Sequence, residues 1–137
     1  MTVNRRGPLA GIAAATLAGL MLLSATPASA GDVAAANGTV VGQWRTSTDG
    51  VKQTITFKKD GSVFGDSGCN RFAGGYKVEG DAITIGPLAS TMMACEQPRM
   101  DAEQSFLTKL HAAVSYSATK KVLKIYAPKD MIRFVAK

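Results

Sequence analysis

Beyond its first forty residues the chain alternates apolar and polar positions in short runs broken by turn residues. In "VKQTITFK" (residues 51–58) Val51, Gln53, Ile55 and Phe57 fall on one side, and Lys52, Thr54, Thr56 and Lys58 on the other. This period of two marks a strand with one buried face. "TVVGQWRT" (residues 39–46) precedes it, and Asp49-Gly50 lies between, a dipeptide that favours a tight hairpin. Asp60-Gly61 then leads into "SVFG", and Glu79-Gly80-Asp81 separates "GGYKV" from "AITIG". The first half is therefore expected to be a meander of short antiparallel strands.

The period changes once. Over residues 98–113, Ala102, Phe106, Leu110 and Ala113 recur at helical spacing. Pro98 suits a first turn, where its missing N–H has no intrahelical partner. Asp101 and Glu103 fall towards the positive end of such a helix, and Lys109 and His111 towards the negative end. Strand patterns resume at residues 114–118, 121–127 and 131–136. The expected fold is mainly β (α+β): a small cracked or partly open antiparallel barrel of about 7–8 short strands with one helix. Gly65, Gly68, Gly74 and Gly75 fit the bulges and bends that curl such a sheet.

The beginning of the chain follows other rules. Arg5 and Arg6 precede an uncharged apolar run, residues 9–23, and Ala28-Ser29-Ala30 ends it with small residues. That is the layout of a secretory signal peptide, and a run of about 15 residues falls short of the ~20 that span a bilayer. The expected organisation is a signal peptide at 1–30, a flexible leader at 31–38 and one domain at 39–137. The mature protein is expected in the periplasm or outside the cell, with no transmembrane segment. Removing Arg5 and Arg6 lowers the net charge of +6 by two, which leaves ordinary surface charge, too weak and scattered to argue for nucleic acid, and no nucleic-acid partner is expected.

Export changes the meaning of "DSGCNRFAGGY" (residues 66–76), which holds one of only two cysteines. Cys69 could be a nucleophile, a metal ligand or half of a disulfide. In an oxidising compartment two cysteines pair by default, and a Cys69–Cys95 bond would close a loop worth about 3–4 kcal/mol. A thiol enzyme would need His111 as base and Asn70 as orienter, but a cationic histidine is simply favourable at a helix C-terminus. Cys69, Cys95 and His111 fall short of a four-ligand zinc set. "MMAC" (residues 92–95) has the soft donors of a copper(I) site, although methionines beside a β core more often fill gaps. Asp60 and Asp66 do not make a calcium loop. No cofactor or metal is implied. The late cations Lys120, Lys121, Lys124, Lys129, Arg133 and Lys137 could face an acidic partner, but guarding edge strands accounts for them more simply.

The order Gly42-x-Trp44, an Asp-Gly turn, "FGDSGCNRFAGGY" and "ITIGPLASTMMACEQPRMDAEQSFLTKL" resembles the META domain family over residues 39–136. Members include a heat-inducible envelope protein of enteric bacteria linked to novobiocin resistance. The resemblance implies a cracked barrel carrying one helix and also suggests a bond between Cys69 and Cys95. It implies association with stress, antibiotic tolerance, secretion and virulence without an established reaction. Some members are lipoproteins; this chain lacks the cysteine that such an anchor needs. The expected function is non-enzymatic: a monomer that serves envelope stress or antibiotic tolerance by binding an unidentified envelope protein or small ligand. A carrier of a small apolar ligand in a barrel pocket is the alternative, and a thiol enzyme using Cys69 and His111 the third reading.

Overall fold

The computed structural model describes residues 38–137; the expected signal peptide and all of the leader except Gly38 lie outside them. Eight antiparallel strands follow in chain order: β1 (Gly42–Thr48), β2 (Val51–Phe57), β3 (Ser62–Asp66), β4 (Arg71–Glu79), β5 (Ala82–Ser90), β6 (Ser115–Ala118), β7 (Val122–Ala127) and β8 (Asp130–Ala136). One helix, α1 (Gln97–His111), lies between β5 and β6. Each strand pairs with its neighbour in sequence and β8 returns to β1, so the expected small barrel is closed. Closure leaves no described strand as a full sheet edge, which confines the edge-guarding role expected for the late lysines to the unpaired stretches of the seams.

Period-two patterning sets the interior. Gln53, Ile55 and Phe57 of β2, Leu123 and Ile125 of β7, and Ile132 and Phe134 of β8 all point inward and are buried. Trp44 is buried on β1, and its indole N–H donates to Val40 O at 2.7 Å, which anchors the segment entering the barrel. Gly38, expected as the end of a loose leader, donates its N–H to Ala118 O at 2.8 Å. The backbone here completes part of a ladder instead of remaining solvated.

Two seams are thin. β5 and β6 share one residue pair, Ala82↔Ser115, and β1 and β8 share two, Trp44↔Ala136 and Arg45↔Val135. The helix packs on β5, β7 and β8. Ala102, Phe106 and Leu110 of the expected stripe enter the core from the helix, whereas Ala113, its fourth member, is buried beyond the helix end at His111. Phe106 meets Phe72 and Phe134 edge-on at centroid distances of 5.9 and 6.1 Å. The first turn of α1 contains no acidic residue, because the helix begins at Gln97 and Asp101 comes one turn later. Lys109 does serve the other end, pairing with Asp130 at 3.3 Å across to the β7–β8 turn.

The N–H of Met131 and the Lys109 ammonium hold the Asp130 carboxyl below the usual carboxylate range. A carboxyl with a lowered folded-state pKa contributes stability above its unfolded value and loses it as pH falls through the folded one. Asp130→Asn is therefore expected to make the acid limb of a thermal-stability profile slightly shallower. The effect is small because the pair faces solvent.

Glycines mark where the sheet bends and where backbones touch. The β4–β5 register shifts between Gly74 and Tyr76, a bulge at Gly75. A Cβ on Gly65 would overlap Thr54 O and the Phe72 ring, and backbone cannot yield as a flexible side chain can. Gly65→Ala is expected to cost about 1–3 kcal/mol, the range for overpacking, as measured by urea unfolding.

Candidate functional site

The glycine-rich motif folds into the loop between β3 and β4, at residues 67–70, against the N-terminal half of α1 and the segment that follows β5. Gly68 adopts a φ of +102°, closed to most side chains, and lets the chain turn beside Val51. Cys69 is bonded to Cys95 with Cα atoms 6.0 Å apart, which ties the loop to the helix entry. No free cysteine exists among the described residues.

Asn70 is the hub of the surrounding polar knot. Its Oδ1 accepts from Thr91 Oγ1 at 2.9 Å and from Met93 N–H at 2.7 Å. Its Nδ2 donates to Met93 O at 3.2 Å and to Glu103 Oε2 at 3.0 Å. Glu103 Oε1 accepts the Asn70 backbone N–H at 3.0 Å and faces Ser67 Oγ at 2.5 Å, while the same hydroxyl also lies 2.7 Å from Asn70 O. Gln53, fully buried on β2, donates to Ser67 O and Ala102 O, both at 3.0 Å, and accepts from Thr48 Oγ1 at 2.9 Å. Arg99 adds an Nε–H bond to Gly68 O at 2.9 Å. Among the described residues no buried side-chain nitrogen or oxygen is left without a partner.

The arrangement revises several expectations. Asn70 is not in the left-handed region, and its side chain bonds distant segments instead of its own turn. Glu103 does not serve the helix terminus; it faces the loop and accepts three bonds. His111, the expected partner of a reactive Cys69, sits eight residues beyond Glu103, about 12 Å along the helix axis. Its ring packs by Gly86, where a Cβ would stand 3.2 Å from Cδ2. Met92 and Met93 fill no gap: they are 93% and 63% exposed. Cys95, being oxidised, provides no thiolate for a copper site beside them.

Glu103, Ser67, Thr91 and Gln53 were missed as members of this cluster. Gln53 carried a signal, since a polar residue at an inward position of an alternating strand needs a buried partner. Glu103 follows the first buried helix residue, which places it at the margin of the apolar face. Nothing local in Ser67 or Thr91 announced bonds to segments 36 and 21 residues away.

Each bond depends on the amide's having two acceptor lone pairs and two donors. Asn70→Asp removes both donors and sets a second carboxylate against Glu103. We expect a loss of about 2–4 kcal/mol, from unmet acceptors and like-charge contact, seen as a lower urea midpoint. An unchanged midpoint would contradict the geometry.

These residues lie within the stretch matched by the META domain family model, residues 35–137. The chain belongs to the META domain family. The barrel is also similar to solved structures. One is an NMR structure of a protein from Burkholderia xenovorans, 22% identical, at a TM-score of 0.58, with 80% of this chain and 88% of that one covered. Another NMR structure is 21% identical, covers 69% of this chain and 87% of its own, and has a TM-score of 0.55. At such identities the likeness is one of fold. No curated protein matches the chain. Within the META domain the polar knot joins the cysteine loop, the strand-to-helix connection and α1 into one unit. Among the described residues no helix is long and apolar enough to cross a membrane.

Proposed function

We propose that this META domain is a non-enzymatic, exported module that serves envelope stress or antibiotic tolerance by binding. One observation carries the reading: the residues with chemical potential are committed to each other. Cys69 and Cys95 share a bond, and the functional groups of Asn70 and Glu103 are occupied. A disulfide is also what an oxidising compartment favours. A thiol enzyme would need a thiolate with a base in reach, and the Cys69 sulfur is held in the disulfide. The carrier reading has less support, because Phe57, Phe106, Phe134, Ile55, Leu123 and Ile125 fill the barrel interior, each under 2% exposed.

Oxidised protein titrated into envelope fractions of its own cell is expected to bind saturably and reversibly at a fixed stoichiometry. Multiple turnover of any component, abolished by one substitution that leaves the fold intact, would overturn the reading.

A further inference from the structure

Barrel closure leaves the cations near the end of the chain little edge to guard, only the part of the β1–β8 seam beyond its two residue pairs. Where the strands bring them is therefore informative. On the outward positions of β7, β8, β1 and β2 stand Lys124, Arg133, Arg45 and Lys52, and no carboxylate shares those positions. Lys124 and Arg133 are direct cross-strand partners. Lys137 N–H donates to Gln43 O at 3.0 Å, which fixes the last residue beside β1. Asp130, at the start of β8, is already paired with Lys109. Among the described residues none of these five cations has a carboxylate within ion-pair distance.

The surface is grooved. β1 and β8 pair through two residues and then separate, and Thr46 Oγ1 spans the gap to Arg133 O at 2.8 Å. The groove along this seam has a volume of about 580 Å³; Arg45, Lys52, Arg133 and Lys137 line it with the hydroxyls of Thr46 and Thr54. Val135 is its apolar lining residue. Unpaired like charges on one face repel one another, and an anionic ligand relieves that repulsion.

We propose that this groove binds a linear anionic polysaccharide, a chain of sugars bearing regularly spaced carboxylates or phosphates. Lys124 and Arg133 are direct neighbours, about 5 Å apart, while Arg45 is one diagonal step from Arg133 and from Lys52, about 7–8 Å, so the charges form one compact cluster. Between them the Thr54 hydroxyl can donate to a sugar oxygen, and Thr46 Oγ1, whose proton goes to Arg133 O, can accept from a sugar hydroxyl. A planar bilayer does not fit a concave seam lacking the apolar or aromatic side chains that enter lipid. Single-stranded nucleic acid would want aromatic platforms for its bases, and the groove lining has none. The proposal rests on the binding reading above and gives its partner a chemical class.

The test titrates oxidised full-length processed protein with polygalacturonate (carboxylates), yeast phosphomannan (phosphates), neutral dextran, phosphatidylglycerol vesicles and single-stranded DNA. At least one of the two anionic glycans is expected to bind and dextran is not, with affinity falling steeply between about 50 and about 200 mM salt. Arg45→Gln/Arg133→Gln is expected to weaken binding about tenfold and to reduce the salt slope by about two. Lys58→Gln/Lys59→Gln, an equal loss of charge at the β2–β3 turn, should leave binding unchanged. Circular dichroism and intact mass confirm that each variant is folded and oxidised. Equal weakening by both pairs, or tighter binding to vesicles or DNA than to either glycan, would overturn the proposal. If no glycan binds but envelope fractions still take up the protein saturably, the proposal falls and the binding reading stands; if neither occurs, both fall.

Discussion

Phe106→Ala is expected to destabilise the domain by about 3–5 kcal/mol, the range for removing a fully buried aromatic side chain. Phe106 is 1% exposed and touches Phe72 of β4 and Phe134 of β8, so one helical side chain joins two walls of the barrel. Truncation leaves a void that those rings cannot close without moving their strands. The helix also packs on β5 and β7, the strands on either side of β6, which shares a single pair with β5. Phe64→Ala is the control. Phe64 faces outward on β3 at 44% exposure, and its loss is expected to cost no more than about 0.5 kcal/mol. Urea unfolding of the two variants should separate them clearly; equal losses would show that α1 is an accessory to the core instead of a part of it.

The second large effect is expected from Cys69→Ser/Cys95→Ser. The bond joins residues 26 apart, and loop-closure entropy for that length gives about 3.5 kcal/mol. Against a total of about 5–15 kcal/mol for a domain of this kind, the variant is expected to fold with a much lower urea midpoint. Its unfolded chain, no longer cross-linked, should expose more surface, so the denaturant slope should rise. The Asn70–Glu103 bonds remain and hold the same loop to the same helix, which is why unfolding at room temperature is not expected. An unchanged midpoint would mean that those bonds alone tether the loop.

Patterning foretold much of the architecture. The alternation from Val51 to Phe57, the Asp-Gly turn before it and the stripe Ala102, Phe106, Leu110 each lie within one element, and each reappears in the folded chain. The polar knot was less legible. Asn70 looked like a turn residue and Glu103 like a helix-end charge, because local spacing carries no record of which distant segment a side chain will meet. Met92 and Met93 looked like core material, yet the turn from β5 into α1 leaves both facing solvent. Lys124 and Arg133 looked like guards of exposed edges, a role that closure of β8 on β1 confines to the short unpaired part of that seam.

The amino-acid order by itself determined the elements, their inward faces and the family, because side-chain periodicity and turn chemistry act within a few residues. Tertiary structure decided that the barrel closes, that Asn70 and Glu103 bond each other across 33 residues, and that scattered cations share one groove. Those outcomes depend on which strands become neighbours, and that is settled only when the apolar faces of all eight strands and the helix are buried together.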